Sequence, residues 1–182
     1  MNTMEAILAR ASYRGLYLKE PVPRADLETI LQAGLSAPSG CNRQTTSLIG
    51  VDDPELLRRL FGVLGHCVGD TAPAMVCVLA KRLIAYRDRS FWVQDYSAAI
   101  QNMLLAAVEL GYASCWVEGY VTDADQLGRQ MADILGVPED TELVCYLPVG
   151  RAAEPVKRAV KKPADQRAWL NGFGKRPSGD PA

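Results

Sequence analysis

The chain has 182 residues, 48% of them hydrophobic, enough to bury one sizeable core within the usual size of a single domain. Lys and Arg total 20 against 21 Asp and Glu, so no global field of either sign draws nucleic acid or an anionic membrane, and any anion site must be local. The apolar runs Ala72 to Ala80 and Ile100 to Leu110 fall well short of the roughly 20 residues that cross a bilayer.

At the start, Met1-Asn2-Thr3-Met4-Glu5-Ala6-Ile7 lacks the basic head and apolar stretch of a secretory signal, which predicts a cytoplasmic protein. A first helix is expected around Thr3 to Ala11. Pro23-Arg24-Ala25-Asp26 opens a second, with Leu27, Ile30, Leu31, Gly34 and Leu35 at helical spacing, and Ala37-Pro38-Ser39-Gly40 ends it. Ser47 to Val51 reads as a short strand, and Asp52-Asp53-Pro54 starts a helix over Glu55 to Leu64. Ala72 to Ala80 is apolar throughout, the pattern of a strand inside a sheet. From Tyr96 onward the helix predicted over Ser90 to Leu110 carries Glu109 as its only charge, so it is expected to lie buried. Ala113 to Val117 is a short strand, Thr122-Asp123 is expected to cap a helix to Leu135, Gly136 stops it, and Leu143 to Val149 is the last strand. Helices alternate with strands, which predicts a layered α/β arrangement.

From Arg151 to Ala182 periodicity is lost and Pro, Lys and Arg are frequent. This segment is too polar to make its own core, and Trp169, Leu170 and Phe173 favour a tail that wraps a partner over solvated disorder. The five cysteines, Cys41, Cys67, Cys77, Cys115 and Cys145, are odd in number and free of any Cys-x-x-Cys pair. That argues against a disulfide framework and a structural zinc site, and predicts that most are small core residues. His66 is the single histidine, so no His-based metal centre is expected and a Ser-His or Cys-His nucleophile pair would have one possible member.

Three segments could carry chemistry. Arg10-Ala11-Ser12-Tyr13-Arg14 alternates two guanidinium groups and a hydroxyl just beyond a helix, and extended residues two apart share a face suited to phosphate; a solvated basic turn is the alternative. Pro38-Ser39-Gly40-Cys41-Asn42-Arg43-Gln44 gathers side chains that donate and accept, as the polar edge of a heterocycle requires. An ordinary turn with Asn42 in a left-handed conformation explains it as well. Glu118-Gly119 follows a strand and offers close backbone approach to a ligand, or merely a turn.

Taken in order, these segments resemble the FMN-dependent nitroreductase family over nearly the whole chain. The resemblance runs through Arg10-x-Ser12-x-Arg14, Pro21-Val22-Pro23 and Ala37-Pro38-Ser39-Gly40-Cys41-Asn42-Arg43-Gln44. It continues through Asp95 to Ala107, Leu110 to Trp116, Leu135-Gly136-Val137-Pro138 and Leu147-Pro148-Val149-Gly150. It implies an α+β fold, a three-layer α-β-α sandwich, as a single FMN-binding domain over residues 1–182 with a C-terminal arm over 150–182 exchanged between subunits of a homodimer. It implies that Arg10, Ser12 and Arg14 bind the FMN phosphate and nearby atoms, with Lys161 a further phosphate ligand. Pro38, Ser39, Asn42 and Gln44 would reach the same flavin from the other subunit, and the backbone NH groups of Glu118 and Gly119 would face flavin N5 and O4. Thr45-Thr46 stands where the family often has Pro-Trp, and Arg151-Ala152 replaces a frequent aromatic-Pro pair.

No Gly-x-Gly-x-x-Gly follows a strand, so nothing suggests a dedicated dinucleotide domain. The resemblance implies that NADH or NADPH reduces the flavin, leaves, and is replaced by a small acceptor, typically a nitroaromatic or quinone, with no side chain acting as acid or base. Two other readings stay open: a dehalogenating, flavin-cleaving or dehydrogenating branch of the family, and a flavin carrier or sensor without turnover.

Overall fold

The computed structural model describes residues 1–119, 121–122 and 126–175. Helix α1 (Thr3–Ala9) begins at Asn2, whose side chain accepts from the Glu5 amide while the Glu5 carboxylate accepts from the Asn2 amide. Helix α2 (Arg24–Leu35) follows Pro23, and one 3-10 turn (Gly40–Asn42) leads to strand β1 (Thr46–Val51). Asp53 caps α3 (Pro54–Leu64) by accepting from the Leu56 amide at 2.7 Å. Strand β2 (Ala74–Ala80), helix α4 (Trp92–Glu109), strand β3 (Ala113–Ser114), helix α5 (Leu127–Ile134) and strand β4 (Glu142–Gly150) complete the layers.

The strands lie in the order β1-β2-β4-β3, with each neighbouring pair antiparallel. Strand β2 is apolar at every position because both faces are covered. Ala74, Val76, Val78 and Ala80 face Leu27 and Ile30 of α2 and Ile100, Met103 and Leu104 of α4. Met75, Cys77 and Leu79 face Leu57, Leu60 and Leu64 of α3 and Met131 and Ala132 of α5. The period-2 alternation of a strand thus feeds two cores, giving a three-layer α-β-α sandwich. Gly34 permits close approach of α2 to β1 and α4, since a Cβ there would meet Leu48 Cδ1 at 2.7 Å and Met103 Cγ at 2.8 Å.

Strand β3 ends at Ser114, short of the expected Val117, which makes an isolated bridge to Tyr146, and two helices also depart from expectation. Helix α5 begins at Leu127, after a left-handed Gln126 that makes no side-chain cap; Thr122 does not cap it, and Asp123 lies outside the described residues. The apolar period of this helix, Gly128, Met131 and Ala132, starts only there, so packing against β4 sets where the helix begins. Helix α4 buries one side, through Asp95, Tyr96, Ala99, Ile100, Met103, Leu104 and Ala107, whereas Leu105 and Ala106 are half-exposed in a groove of about 380 Å³ beside α1. No helix among the described residues is long and apolar enough to cross a membrane.

Between α1 and α2 the chain runs extended across the end of the sheet. Ser12 bridges Ser114 in parallel, the Tyr13 amide donates to Ser114 O at 2.9 Å, and Tyr17 bridges Ala152. Tyr13 and Tyr17 are buried in edge-on contact at 5.1 Å, and this fixes which side chains turn outward. Past β4 the tail runs exposed to residue 175, with a 3-10 turn at Ala164–Gln166 and Trp169 against Phe173 at 4.2 Å. Phe173 remains 88% exposed, so this aromatic pair makes no core within the chain.

Candidate cofactor site

Helix α1 stops at Ala9 because Arg10 turns to ψ 128°, and from there the backbone alternates. Ala11 and Tyr13 go inward, while Arg10, Ser12 and Arg14 face outward into one cavity of about 550 Å³. Lys161 lines the same cavity, as do Lys157 and Arg158 of the tail, and none of its described lining residues is acidic. The Arg158 guanidinium donates to Leu8 O, which fastens the tail to the end of α1. Sequence reasoning missed Lys157 and Arg158; their adjacent positive charges were the available signal. Under this segment, burial pushes the Cys115 thiol up, against the opposing pull of Arg14, Ser12 and Arg10, so it stays a protonated core group at neutral pH.

The connection from α2 to β1 contains three non-glycine residues in the left-handed region, Cys41 (φ 51°), Asn42 (φ 53°) and Gln44 (φ 49°). The left-handed Asn42 anticipated from sequence is there, with two companions. Ser39 Oγ accepts from the Gln44 amide at 3.0 Å and closes the loop on itself. Asp95, in the first turn of α4, accepts from the Gly40 amide at 2.7 Å through one oxygen and from Thr45 Oγ1 at 2.6 Å through the other. Gly40 must be glycine, because a Cβ would come within 2.6 Å of Phe91 Cδ2. Pro38, Ser39 and Gln44 line a recess of about 180 Å³ together with Asp95. This recess shares no lining residue with the Arg10 cavity. Asn42 is exposed and lines neither.

Glu118 lies four residues beyond Ser114, on the stretch that the Val117–Tyr146 bridge ties to β4. Its carboxylate accepts from Tyr96 Oη at 2.7 Å and from Trp116 Nε1 at 2.8 Å. Among the described residues neither the Glu118 nor the Gly119 amide donates to a backbone carbonyl. Tyr96 also packs edge-on against Trp116 at 6.2 Å and tilted against Trp92 at 5.7 Å, with the Arg82 guanidinium over the Trp92 ring at 4.6 Å and ion-paired to Glu142. Burial, then the bond to Glu118, raises the Tyr96 phenol above an ordinary tyrosine. Burial, then the Glu118 charge, likewise holds the Cys145 thiol well above its usual value. Tyr96 and Cys145 are therefore both kept protonated beside Glu118. His66 is exposed and meets Asp70 at 3.0 Å, far from these clusters in the chain.

The sequence model of the Nitroreductase family matches residues 7–68 and 62–151. A protein of Archaeoglobus fulgidus, provisionally named NADH dehydrogenase/NAD(P)H nitroreductase, is 32% identical over 149 residues, covering 81% of this chain and 83% of its own. Among solved structures, a Parabacteroides distasonis protein with the same provisional name superposes with a TM-score of 0.78 at 26% identity, over 95% of this chain and 100% of the other. A nitroreductase with bound FMN from Bacteroides fragilis superposes with a TM-score of 0.71 at 29% identity, over 89% and 95% of the two chains. The fold is thus that of the layered α-β-α flavoproteins of this class. This chain belongs to the nitroreductase family.

Proposed function

We propose that this chain is an oxidoreductase with FMN as its cofactor, taking electrons from NADH or NADPH and passing them to a small electron-poor acceptor such as a nitroaromatic or a quinone. The observation that carries the proposal is the cavity at Arg10, Ser12 and Arg14, where guanidinium and ammonium groups converge without a carboxylate among the described lining residues. That donor set fits a terminal phosphate: guanidinium groups take phosphate oxygens in pairs, and Lys161 adds a mobile point charge. The relatives named for NAD(P)H and for bound FMN support the same reading.

When bound, FMN supplies hydride acceptance from the nicotinamide and delivery to the acceptor, in two half-reactions with the donor gone before the acceptor enters. Arg10, Ser12, Arg14 and Lys161 hold the phosphate end. The amides of Glu118 and Gly119 are the donors for the reacting edge of the ring, where negative charge develops on reduction. The Glu118 carboxylate, engaged by Tyr96 and Trp116, orients that turn and takes no proton. No further catalytic side chain is assigned.

The functional unit is a homodimer of single-domain subunits, in which Pro38, Ser39, Asn42 and Gln44 of each subunit reach the FMN held by the other. That the two clusters line different cavities of one chain supports this arrangement. So do Met4, Ile7 and Leu8, exposed along α1, and the arm over residues 150–182, whose Leu170 and Phe173 lack cover and are assigned to the neighbouring subunit. The test is chromophore analysis: the purified protein should be yellow and release FMN on denaturation. Colourless protein that takes up no added FMN in a fluorescence titration overturns the proposal.

A further inference from the structure

The Gly40–Gln44 loop poses a physical question: what holds it in shape. Cys41, Asn42 and Gln44 all sit in the left-handed region, where a Cβ crowds the backbone and the right-handed region is preferred. Packing of their own side chains does not hold them there, since Cys41, Asn42, Arg43 and Gln44 are all exposed. The loop is instead fixed at its two ends. Asp95 receives the Gly40 amide on one oxygen and the Thr45 hydroxyl on the other, so a single carboxylate spans the strained segment.

Asp95 is only 4% exposed, Thr45 also 4%, and among the described residues no Lys or Arg pairs with the Asp95 carboxylate. Burying a carboxylate without a cation is costly, and charge-assisted hydrogen bonds are what offset it. A leucine or alanine at this point of α4 would serve the core at no such cost. The charge is therefore explained by its two partners, both in the loop. Phe91, one turn earlier, packs on Gly40 from the same helix end, so the start of α4 is the template on which the loop is shaped.

We infer that Asp95 is a positioning residue for the cofactor, acting through Gly40 and Thr45 to hold Ser39, Asn42 and Gln44 in the arrangement that receives FMN, without touching FMN itself. The inference rests on the FMN reading under Proposed function. It gives Thr45, one of the two threonines that replace the family's frequent Pro-Trp pair, a role in the same clamp.

The test uses the FMN-loaded protein and its variants Asp95→Ala, Asp95→Asn and Thr45→Val. Three readings are taken: the FMN dissociation constant by fluorescence titration, the visible circular dichroism of the bound flavin, and amide hydrogen exchange of the peptide covering residues 39–46. Asp95→Ala should weaken FMN binding by about tenfold or more, alter the flavin dichroism and speed exchange at Gly40, since hydrogen bonds to a charged group are lost. Asp95→Asn keeps an oxygen for the Gly40 amide and should recover most of the affinity. Thr45→Val deletes one donor with little change of shape; it should weaken binding by a few-fold and carries the test if Asp95→Ala fails to fold. Variants that bind FMN as tightly as the wild type, with unchanged dichroism and exchange, overturn the role of Asp95 alone. Lowered thermal stability with unchanged affinity and dichroism also overturns it, because the residue is then merely structural. A wild-type protein that binds no FMN overturns the functional reading itself and this inference with it.

Discussion

Replacing Glu118 separates what its backbone does from what its side chain does. In the folded chain the carboxylate takes one hydrogen bond from Tyr96 at 2.7 Å and one from Trp116 at 2.8 Å. Glutamine preserves both contacts in a neutral form. Its oxygen can accept from the indole NH, its NH2 can donate to the Tyr96 hydroxyl, and that hydroxyl can rotate to accept. The loss is the difference between charge-assisted and neutral bonds, about 1 kcal/mol for each contact. The two together come to about 2 kcal/mol, so even if all of it fell on the orientation of the turn, flavin reduction by the preferred nicotinamide would slow by no more than about 30-fold. Proline at position 118 deletes the NH assigned to the reacting edge and fixes φ, and loss of such a donor typically costs a factor of about 100 to 1,000 in rate. Anaerobic stopped-flow bleaching isolates this step, with FMN content and far-ultraviolet circular dichroism reporting on the folded, loaded fraction. If Glu118→Gln abolishes reduction while Glu118→Pro spares it, the carboxylate is the working group and the backbone assignment is wrong.

Arg10→Ala and Arg14→Ala should each weaken FMN binding by about 1.5 to 3 kcal/mol, as for a hydrogen bond to a charged group, with less effect on folding because both side chains face a cavity and not a core; equilibrium titration showing unchanged affinity in both would refute the phosphate assignment. Deleting everything after Pro163 should lower dimer stability and flavin retention together, since obligate interfaces often bury more than about 2,000 Å² and the exposed Leu170 and Phe173 are assigned to one; a truncated, fully yellow monomer by light scattering would refute it. Burial raises the Tyr17 and Tyr96 phenols above the ordinary tyrosine value of 10.0. The folded chain therefore holds these protons more tightly than the unfolded chain. That stability is complete below pH 10 and declines as pH rises beyond it, so urea midpoints should fall on the alkaline side, and less steeply in Tyr96→Phe. A midpoint independent of pH in that range would contradict the burial of both hydroxyls.

How much was legible in the sequence depended on how local each signal was. Arg10, Ser12 and Arg14 could be read as one face because alternation in an extended chain is set by the backbone, and Tyr13 and Ala11 pack inward as that requires. Strand β2 could be placed inside the sheet from its unbroken apolar run, which only coverage of both faces explains. Helix α5 was misplaced at its start because Thr122 supplies a capping side chain, while the residues that anchor the helix against β4 begin six positions further along with Gly128. The apolar circumference of α4 suggested full burial, but the fold covers only one side, leaving Leu105 and Ala106 at a groove. The contacts that shape the candidate site were the least legible. Asp95 meets Thr45 across 50 residues and Tyr96 meets Glu118 across 22, and no periodicity or propensity encodes such pairs. Nor did Lys157 and Arg158 stand out in a tail rich in basic residues until Arg158 was seen bonded to Leu8 at the mouth of the cavity.

The central claim is that bound FMN cycles between a nicotinamide and a small acceptor, and double-mixing stopped-flow spectroscopy under anaerobic conditions tests it most directly. The flavin-loaded protein is mixed first with a stoichiometric amount of NADH or NADPH and then, once the donor is exhausted, with a quinone or a nitroaromatic. The account predicts bleaching of the flavin band in the first step and its full return in the second, with no donor left to be consumed. A flavin-loaded protein that neither nicotinamide bleaches, or that stays bleached in the presence of every such acceptor, would contradict it and leave a flavin carrier in its place.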